Sequence, residues 1–132
     1  MRFEQGVTLD TGALIALERR KSRVTELITA VERRGSLVTV PSVVLTEFWR
    51  GQQGPIARLV AGWRKAGRLE PVTPAIAMLA GKALGSVSDG PSPTDAIVMA
   101  AAASRGDAVL TSDMDDMVKL AAFFPTVRVL AV

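Results

Sequence analysis

The residues with the clearest chemical potential in this sequence are four carboxylates that lie far apart in the chain: Asp10, Glu47, Asp95 and Asp113. Asp10 directly follows the apolar run 7–9, and Asp113 directly follows the run 108–112. Both runs predict short buried strands, and a helical pattern begins immediately after each of them. Because the carboxyl ends of parallel strands open into one crevice, we expect these acids to converge there.

A convergence of four acids predicts a metal site. Carboxylates packed together without a cation repel one another and take up protons, so a cluster that stays ionised at neutral pH implies a bound ion. Hard oxygen ligands of this kind suit Mg²⁺ or Mn²⁺. The chain contains neither cysteine nor histidine. Their absence excludes Ser-His-Asp and Cys-His catalysis, thiolate zinc sites and histidine general bases, and it leaves carboxylates, lysines and hydroxyls as the candidate chemical groups.

Each acid also has a plainer interpretation. Asp10 and Asp95 stand where an aspartate commonly caps a helix by accepting a backbone hydrogen bond. Glu47 lies among apolar neighbours, where an acid is either half-buried or extends outward from the core. Asp113, with Asp115 and Asp116, resembles a solvated acidic turn. The adjacent hydroxyls of Thr111 and Ser112 favour the metal site, because such groups orient metal ligands. The joint pattern carries more weight than any one acid.

Composition limits the class of protein. A length of 132 residues with 48% hydrophobic content predicts one globular domain over 1–132 with a single core. The first residues show no signal-peptide apolar segment, and no apolar run approaches the roughly 20 residues of a membrane span, so we expect a soluble cytoplasmic protein with no membrane partner.

Basic residues concentrate in the first half of the chain, although the net charge is only +3. They are Arg19, Arg20, Lys21, Arg23, Arg33, Arg34, Arg50, Arg58, Arg64, Lys65 and Arg68. This asymmetry is compatible with a polyanion that lies across a basic rim and reaches an acidic, metal-loaded centre. The alternative is that the arginines only solvate exposed helix faces. We predict Arg19, Arg20 and Arg23 as the residues that bind the substrate.

Strand and helix patterns alternate along the whole chain. The predicted strands are 7–9, 37–40, 69–72, 108–112 and 127–131. The predicted helices are 13–17, 24–34, 41–49, 56–65, 75–84, 96–104 and 116–123, with breaks at 51–55 and 85–93. This order predicts an α/β fold, a three-layer α/β/α sandwich around a mostly parallel central sheet.

Four sequence blocks together resemble the PIN-domain ribonucleases of the VapC toxin type. The blocks are Val7 to Leu17, Val43 to Phe48, Pro93 to Ala100 and Leu110 to Asp116. The resemblance implies a PIN-like fold and implies that Asp10, Glu47, Asp95 and Asp113 bind Mg²⁺ or Mn²⁺, with Asp115 as an occasional further ligand. It places Thr111 near the site with Ser112 beside it, and we also assign Thr11 to the surroundings of the ligands.

The same resemblance implies an activity and partners. Such proteins hydrolyse RNA, leave a 5′-phosphate and a 3′-hydroxyl, and inhibit translation and growth as the toxins of type II toxin-antitoxin systems. It implies a VapB-type antitoxin and a homodimer, and Phe48, Trp49 and the helix 56–63 are our candidate partner surface, unless they are buried in the core. The alternatives are a non-catalytic PIN-like module that binds RNA or protein, and phosphoryl transfer through an aspartyl-phosphate. The second requires a further acid two residues after Asp10 or directly before it, and neither position has one.

Overall fold

A computed structural model describes residues 5–49 and 54–132. This part of the chain contains five strands and seven helices. The strands are β1 Val7–Leu9, β2 Val38–Pro41, β3 Leu69–Glu70, β4 Ala108–Thr111 and β5 Val129–Ala131. The helices are α1 Thr11–Glu18, α2 Ser22–Arg33, α3 Ser42–Phe48, α4 Pro55–Lys65, α5 Pro74–Gly85, α6 Pro93–Arg105 and α7 Met114–Ala121.

The five strands form one sheet in the order β3-β2-β1-β4-β5, and every neighbouring pair is parallel. All residues of β1, β2 and β4 are buried. Because successive side chains of a strand point to opposite faces, helices must cover both faces of the sheet. The prediction of a three-layer α/β sandwich is therefore confirmed, and the sheet is wholly rather than mostly parallel.

Helix α6 is the most deeply buried helix of the described chain and the one that positions Asp95. Its small-residue stretch, residues 96–102, packs closely on α5 and contacts β1, β2 and β4. Ser92 caps its N-terminus, and Gly106 ends it at φ +73°, a left-handed conformation that favours glycine. The buried alanines let α6 pack directly on the central strands of the sheet.

A partly buried polar network fixes the C-terminal end of α6. Arg105 Nε donates to Asp107 Oδ2 at 3.0 Å, Arg105 Nη2 donates to Thr8 Oγ1 at 2.6 Å, and Arg105 also pairs with Glu70. Thr8 Oγ1 in turn donates to Asp107 Oδ2 at 2.9 Å. Arg105 thus joins α6 to β1, to the edge strand β3 and to the segment that precedes β4.

Several predicted boundaries differ from those observed. Pro41 is the last residue of β2, pairs with Glu70 and has extended ψ 131°, so α3 begins one residue later than predicted. Helix α7 begins at Met114 because the Asp113 side chain caps it. Strands β3 and β5 are shorter than predicted. Of the predicted break at 51–55, only Gly54 and Pro55 are described; they begin α4, and residues 51–53, like Arg50, lie outside the described residues.

No helix within 5–49 or 54–132 is both long enough and apolar enough to traverse a bilayer.

Candidate metal centre

Asp10 lies at the exit of the central strand β1 and is 5% exposed. It is also the N-cap of α1, and its Oδ1 accepts a hydrogen bond of 2.8 Å from the Ala13 N–H. A carboxylate has about four acceptor sites, so the hydrogen bonds from Ala13 and from the Thr111 hydroxyl still leave room for a cation. Capping and metal binding are therefore compatible at this position.

Asp113 occupies the equivalent position after β4. Its Oδ1 accepts from the Asp116 N–H at 3.4 Å and caps α7, while its own N–H donates to Thr111 Oγ1 at 2.8 Å. Thr111 is fully buried, so it fixes the backbone where the chain leaves the sheet. Asp115 and Asp116 form the first turn of α7, and Asp116 is the half-buried one.

Asp95 belongs to a capping box at the start of α6. Ser92 Oγ accepts from the Asp95 N–H at 3.1 Å, and Asp95 Oδ2 accepts from the Ser92 N–H at 2.9 Å. This reciprocal pair makes Ser92 the N-cap and places Asp95 three residues inside it. One carboxylate oxygen of Asp95 remains outside the capping box.

Glu47 comes from the last turn of α3 and is exposed rather than half-buried. Its Oε1 accepts a hydrogen bond of 2.9 Å from Thr11 Oγ1 in the first turn of α1. The hydroxyl therefore holds the Glu47 carboxylate close to the end of β1.

These acids line one cavity of about 330 Å³ at the carboxyl end of the sheet. The lining residues are Asp10, Thr11, Gly12, Glu47, Gly90, Ser92, Thr94, Asp95, Ser112, Asp113 and Asp116. Within the lining, Asp95, Asp113 and Asp116 can each place one carboxylate oxygen within 4.8 Å of the other two. The structure thus brings the four predicted acids to one cavity, and it groups three aspartates most tightly.

The pKa values of three of these acids show that the cavity disfavours negative charge. Burial, opposed by hydrogen bonds from Thr111 and Ala13, raises the pKa of Asp10 from 3.8 to about 6, and repulsion from Asp95 and Asp113 adds to this rise. Desolvation likewise raises the pKa of Asp95, and the negative charges of Asp113 and Glu47 raise it further. Desolvation, Asp113 and Asp95 raise the pKa of Asp116, against the opposing charge of Lys119. Mutual repulsion of this kind is relieved by a bound cation.

The sequence matches the model of the family described as PIN domain over residues 7–122. The chain belongs to the PIN domain family. The match includes every acid that lines the cavity of this PIN domain.

Solved structures share the fold at low sequence identity. The DNA-bound VapBC complex from Salmonella typhimurium contains a chain that matches with a TM-score of 0.67 at 19% identity, over 96% of this chain and 98% of that one. VapBC2 from Rickettsia felis, bound to a promoter DNA fragment, contains a chain that matches with a TM-score of 0.65 at 12% identity, over 97% of this chain and 99% of that one. FitAcB from Neisseria gonorrhoeae contains a chain that matches with a TM-score of 0.64 at 17% identity, over 94% of this chain and 96% of that one. No curated protein sequence matches this chain.

The fifth predicted ligand lies apart from the cavity of this PIN domain. Asp115 is exposed and is not among the lining residues, whereas its neighbour Asp116 is. The helical pitch explains the difference. Asp116 follows the N-cap Asp113 by three residues and returns to the same side of α7. This spacing in the sequence could have identified Asp116 as the better candidate.

The surroundings of the acids include all three predicted hydroxyl residues. Thr11 contacts Glu47, Thr111 contacts Asp113, and Ser112 packs against Gly12. A β-carbon at Gly12 would lie 2.9 Å from Ser112 Cβ and would clash with the Ser112 hydroxyl. Glycine is therefore required where α1 passes closest to the end of β4.

The three predicted substrate-binding arginines are exposed and do not line the cavity. Arg23 Nε donates to the Ala131 carbonyl at 2.6 Å, at the end of the edge strand β5. Arg20 instead lines a separate small cavity beside Pro55 and Leu59. A role in binding an extended substrate remains a prediction for Arg19, Arg20 and Arg23.

The candidate partner surface divides into buried and exposed residues. Phe48, Ile56 and Trp63 are less than 9% exposed and belong to the core. Trp49 and Leu59 are 41% and 38% exposed. Trp49 lines an open apolar groove between α3, α4 and β3, together with Ser42, Leu45, Thr46, Ala57, Val60, Ala61, Arg64, Lys65, Leu69 and Pro71.

Proposed function

We propose that this PIN domain is a metal-dependent endoribonuclease and the toxin of a type II toxin-antitoxin pair, which hydrolyses RNA phosphodiester bonds and so inhibits translation and growth. The observation that carries the proposal is the convergence of Asp10, Glu47, Asp95, Asp113 and Asp116 on one cavity, with the last three acids within reach of a single ion.

The cavity residues fit Mg²⁺ or Mn²⁺. All ionisable groups of the lining are carboxylates, and hard divalent cations prefer oxygen ligands of this kind. Desolvation first, and repulsion among the acids second, raise the pKa values of Asp10, Asp95 and Asp116, and a bound cation would offset both effects. When bound, the ion supplies Lewis acidity and a lowered pKa of coordinated water.

The residues of the chain have distinct tasks in this reaction. Asp10, Glu47, Asp95, Asp113 and Asp116 would hold the cation, with the Glu47 carboxylate oriented by Thr11. Since the chain contains no histidine, a carboxylate such as Asp95 or Asp113 accepts the proton of the attacking water. The water oxygen bonds to phosphorus in line with the P–O3′ bond, which breaks. The phosphate stays on the 5′ end of one fragment, and the departing 3′ oxygen takes a proton from solvent to become the 3′-hydroxyl of the other.

The RNA extends beyond the cavity onto basic side chains in our proposal. Arg19, Arg20 and Arg23 are exposed and can contact phosphates along the strand. Such contacts predict an affinity that falls steeply with salt. Replacement of all three arginines by alanine should weaken RNA binding and flatten its salt dependence. An unchanged affinity and slope would restrict substrate binding to the cavity and its immediate rim.

An antitoxin of the VapB type is the proposed protein partner, and a homodimer is the proposed assembly. The VapBC and FitAcB complexes that share this fold support an antitoxin. Trp49, in its open groove, is the exposed residue that we assign to this contact. Trp49→Ala should weaken antitoxin binding more than Met78→Ala, since Met78 is 66% exposed and lies outside the groove. Equal antitoxin binding by the two variants would contradict the assignment of Trp49, and a stable monomer would contradict the proposed homodimer.

The activity is tested with purified, antitoxin-free protein and total cellular RNA. The RNA is incubated in Mg²⁺ or Mn²⁺, with and without EDTA, and fragment ends are mapped. Asp10→Ala and Asp95→Ala remove proposed ligands, while Glu26→Ala removes an exposed acid of α2 outside the lining and serves as the matched control. We expect discrete cuts with 5′-phosphates that disappear with EDTA and in the first two variants.

Two results would contradict the proposal. Absence of cleavage with both ions would favour a PIN-like module that binds without cutting. Cleavage that survives in Asp10→Ala and Asp95→Ala would indicate a contaminating nuclease or another site.

A further inference from the structure

Lys119 places a positive charge beside the acidic cavity. It follows Asp116 by three residues on α7, so the two side chains lie on the same side of that helix. The Lys119 Nζ and the Asp116 Oδ1 both approach Gly90, a cavity-lining residue in the loop before α6. A β-carbon at Gly90 would lie 2.8 Å from the ammonium and 2.5 Å from the carboxylate oxygen.

The ammonium is held by a backbone carbonyl rather than by an acid. Lys119 Nζ donates to the Asp89 carbonyl at 3.2 Å. Within 5–49 and 54–132, no carboxylate oxygen lies within the 4.0 Å of an ion pair from this nitrogen. The bond to a neutral acceptor fixes the position of the lysine but does not cancel its charge. The nearby carboxylates consequently remain available for a cation.

This arrangement addresses a difficulty for any polyanion that enters the cavity. A phosphate strand that approaches five acids is repelled wherever the bound cation does not screen it. The three predicted arginines do not line the cavity, whereas Lys119 contacts the loop that forms its rim. An ammonium has three donors, and the Asp89 carbonyl takes one of them. The remaining two can bind phosphate oxygens, for which lysine acts as a point charge.

We propose that Lys119 contacts a phosphate of the RNA strand at the rim of the acidic cavity, next to the bond that is cut. The inference rests on the proposed ribonuclease function and adds a substrate-binding residue to it. It predicts one phosphate contact. Loss of Lys119 should therefore make the slope of log affinity against log salt concentration less steep by about 0.7, the value for one contact to a single strand.

The test uses the full chain with Asp95→Asn as background, which keeps the RNA intact, and a fluorescein-labelled single-stranded RNA of 20 nucleotides as probe. Because this background is expected to lose the cation, affinity is measured for every protein by anisotropy in EDTA over a range of salt concentrations. Lys119→Met removes the charge, Lys119→Arg retains it, and Lys82→Met removes an exposed lysine of α5 as the matched control. We expect Lys119→Met to raise the Kd about three- to tenfold and to flatten the slope, while Lys119→Arg and Lys82→Met change both much less.

A second measurement separates phosphate contact from support of the loop. Titration calorimetry of Mn²⁺ into proteins with native Asp95 should show that Lys119→Met binds the ion at least as tightly as the unsubstituted protein, because a nearby positive charge has been removed. Weaker Mn²⁺ binding would assign Lys119 to the shape of the site and overturn the inference. If Lys119→Met and its background bind RNA equally tightly, the Lys119 inference is overturned while the ribonuclease proposal stands. If the background protein and the unsubstituted protein both bind no RNA, the ribonuclease proposal falls as well.

Discussion

The hydroxyl of Thr11 donates a hydrogen bond of 2.9 Å to the carboxylate of Glu47 and thereby joins the first turn of α1 to the last turn of α3. Glu47 is exposed and lies on a short helix, so its side chain would otherwise sample several rotamers. The bond links two parts of the chain that are 36 residues apart, at the rim of the acidic cavity. A residue with no charge of its own thus orients one of the proposed ligands.

Removal of the Thr11 hydroxyl should weaken metal binding without removing a ligand. Thr11→Val keeps the shape of the side chain but loses the donor to Glu47, and loss of such an orienting group commonly costs 10- to 100-fold in metal affinity. We expect Thr11→Val to bind Mn²⁺ about tenfold more weakly by titration calorimetry. Thr11→Ser retains the hydroxyl and should stay within about threefold of the unsubstituted protein. Equal affinities of the valine and serine variants would show that Glu47 needs no orientation by Thr11.

The stability of the metal-free protein should fall as pH rises from about 4 to about 6. The pKa of Asp10 is raised to about 6, mainly by burial, so the folded state binds a proton in this window more tightly than the unfolded state does. The free energy of unfolding therefore decreases as Asp10 ionises, by at most about 3 kcal/mol for a rise of this size. Urea unfolding in EDTA across pH 4 to 7.5 measures the slope.

Asp10→Asn tests the assignment of that slope. Asparagine can still accept from the Ala13 N–H as an N-cap but does not ionise. We expect this variant to be more stable than the unsubstituted protein in EDTA at pH 7, with a shallower slope. The control Glu26→Gln, at an exposed acid of α2 outside the cavity, should leave both quantities unchanged. Addition of Mn²⁺ at pH 7 should stabilise the unsubstituted protein and not Asp10→Asn, and a common response of the two proteins would exclude Asp10 as a ligand.

Gly12 illustrates a packing constraint that opposes local helix propensity. Alanine in place of glycine usually favours a helix by up to about 1 kcal/mol. At Gly12, however, the new methyl group would clash with the side chain of Ser112. We expect Gly12→Ala to destabilise the protein by about 1–3 kcal/mol, as for other overpacked sites, in urea unfolding. The double variant Gly12→Ala with Ser112→Gly removes the clashing side chain and should be more stable than Gly12→Ala alone, whereas additive losses would exclude direct contact.

The alternation of apolar runs and helical patterns was sufficient to predict the α/β class. It also predicted that Asp10 and Asp113 meet at the carboxyl end of the sheet, because the positions where strands end depend on local hydrophobic patterning. Element boundaries depended on contacts that patterning does not contain. The cap formed by Asp113 moved the start of α7, and pairing with Glu70 kept Pro41 in β2. The network around Arg105 could not be predicted either, since its partners lie up to 97 residues away.

The site itself was predictable in part. Its aspartates follow strands or lie in the first turn of helices, and the sequence shows such positions directly, whereas Glu47 lies at the end of α3 and was proposed from its apolar neighbours. The tight grouping of Asp116 with Asp95 and Asp113 depends on the rotation of α7 about its axis, which the N-cap determines. Lys119 was not predicted because its relation to the cavity is made through the Asp89 carbonyl in a different loop.

Asp95 combines a structural and a proposed catalytic task, and two substitutions should separate them. Its Oδ2 accepts from the Ser92 N–H in the capping box of α6, while it also faces Asp113 and Asp116. Asp95→Ala loses both tasks, and loss of a capping interaction costs about 1 kcal/mol. Asp95→Asn retains an acceptor for Ser92 but loses the negative charge that binds a cation.

In EDTA at pH 7, Asp95→Asn should therefore be at least as stable to urea as the unsubstituted protein, because it also removes repulsion from Asp113 and Glu47. Asp95→Ala should be less stable than Asp95→Asn by about 1 kcal/mol. Both variants should lose Mn²⁺ binding by calorimetry and RNA cleavage to the same extent. A variant pair that differed in Mn²⁺ affinity as well as in stability would show that the capping box, rather than the charge of Asp95, is what the cation site requires.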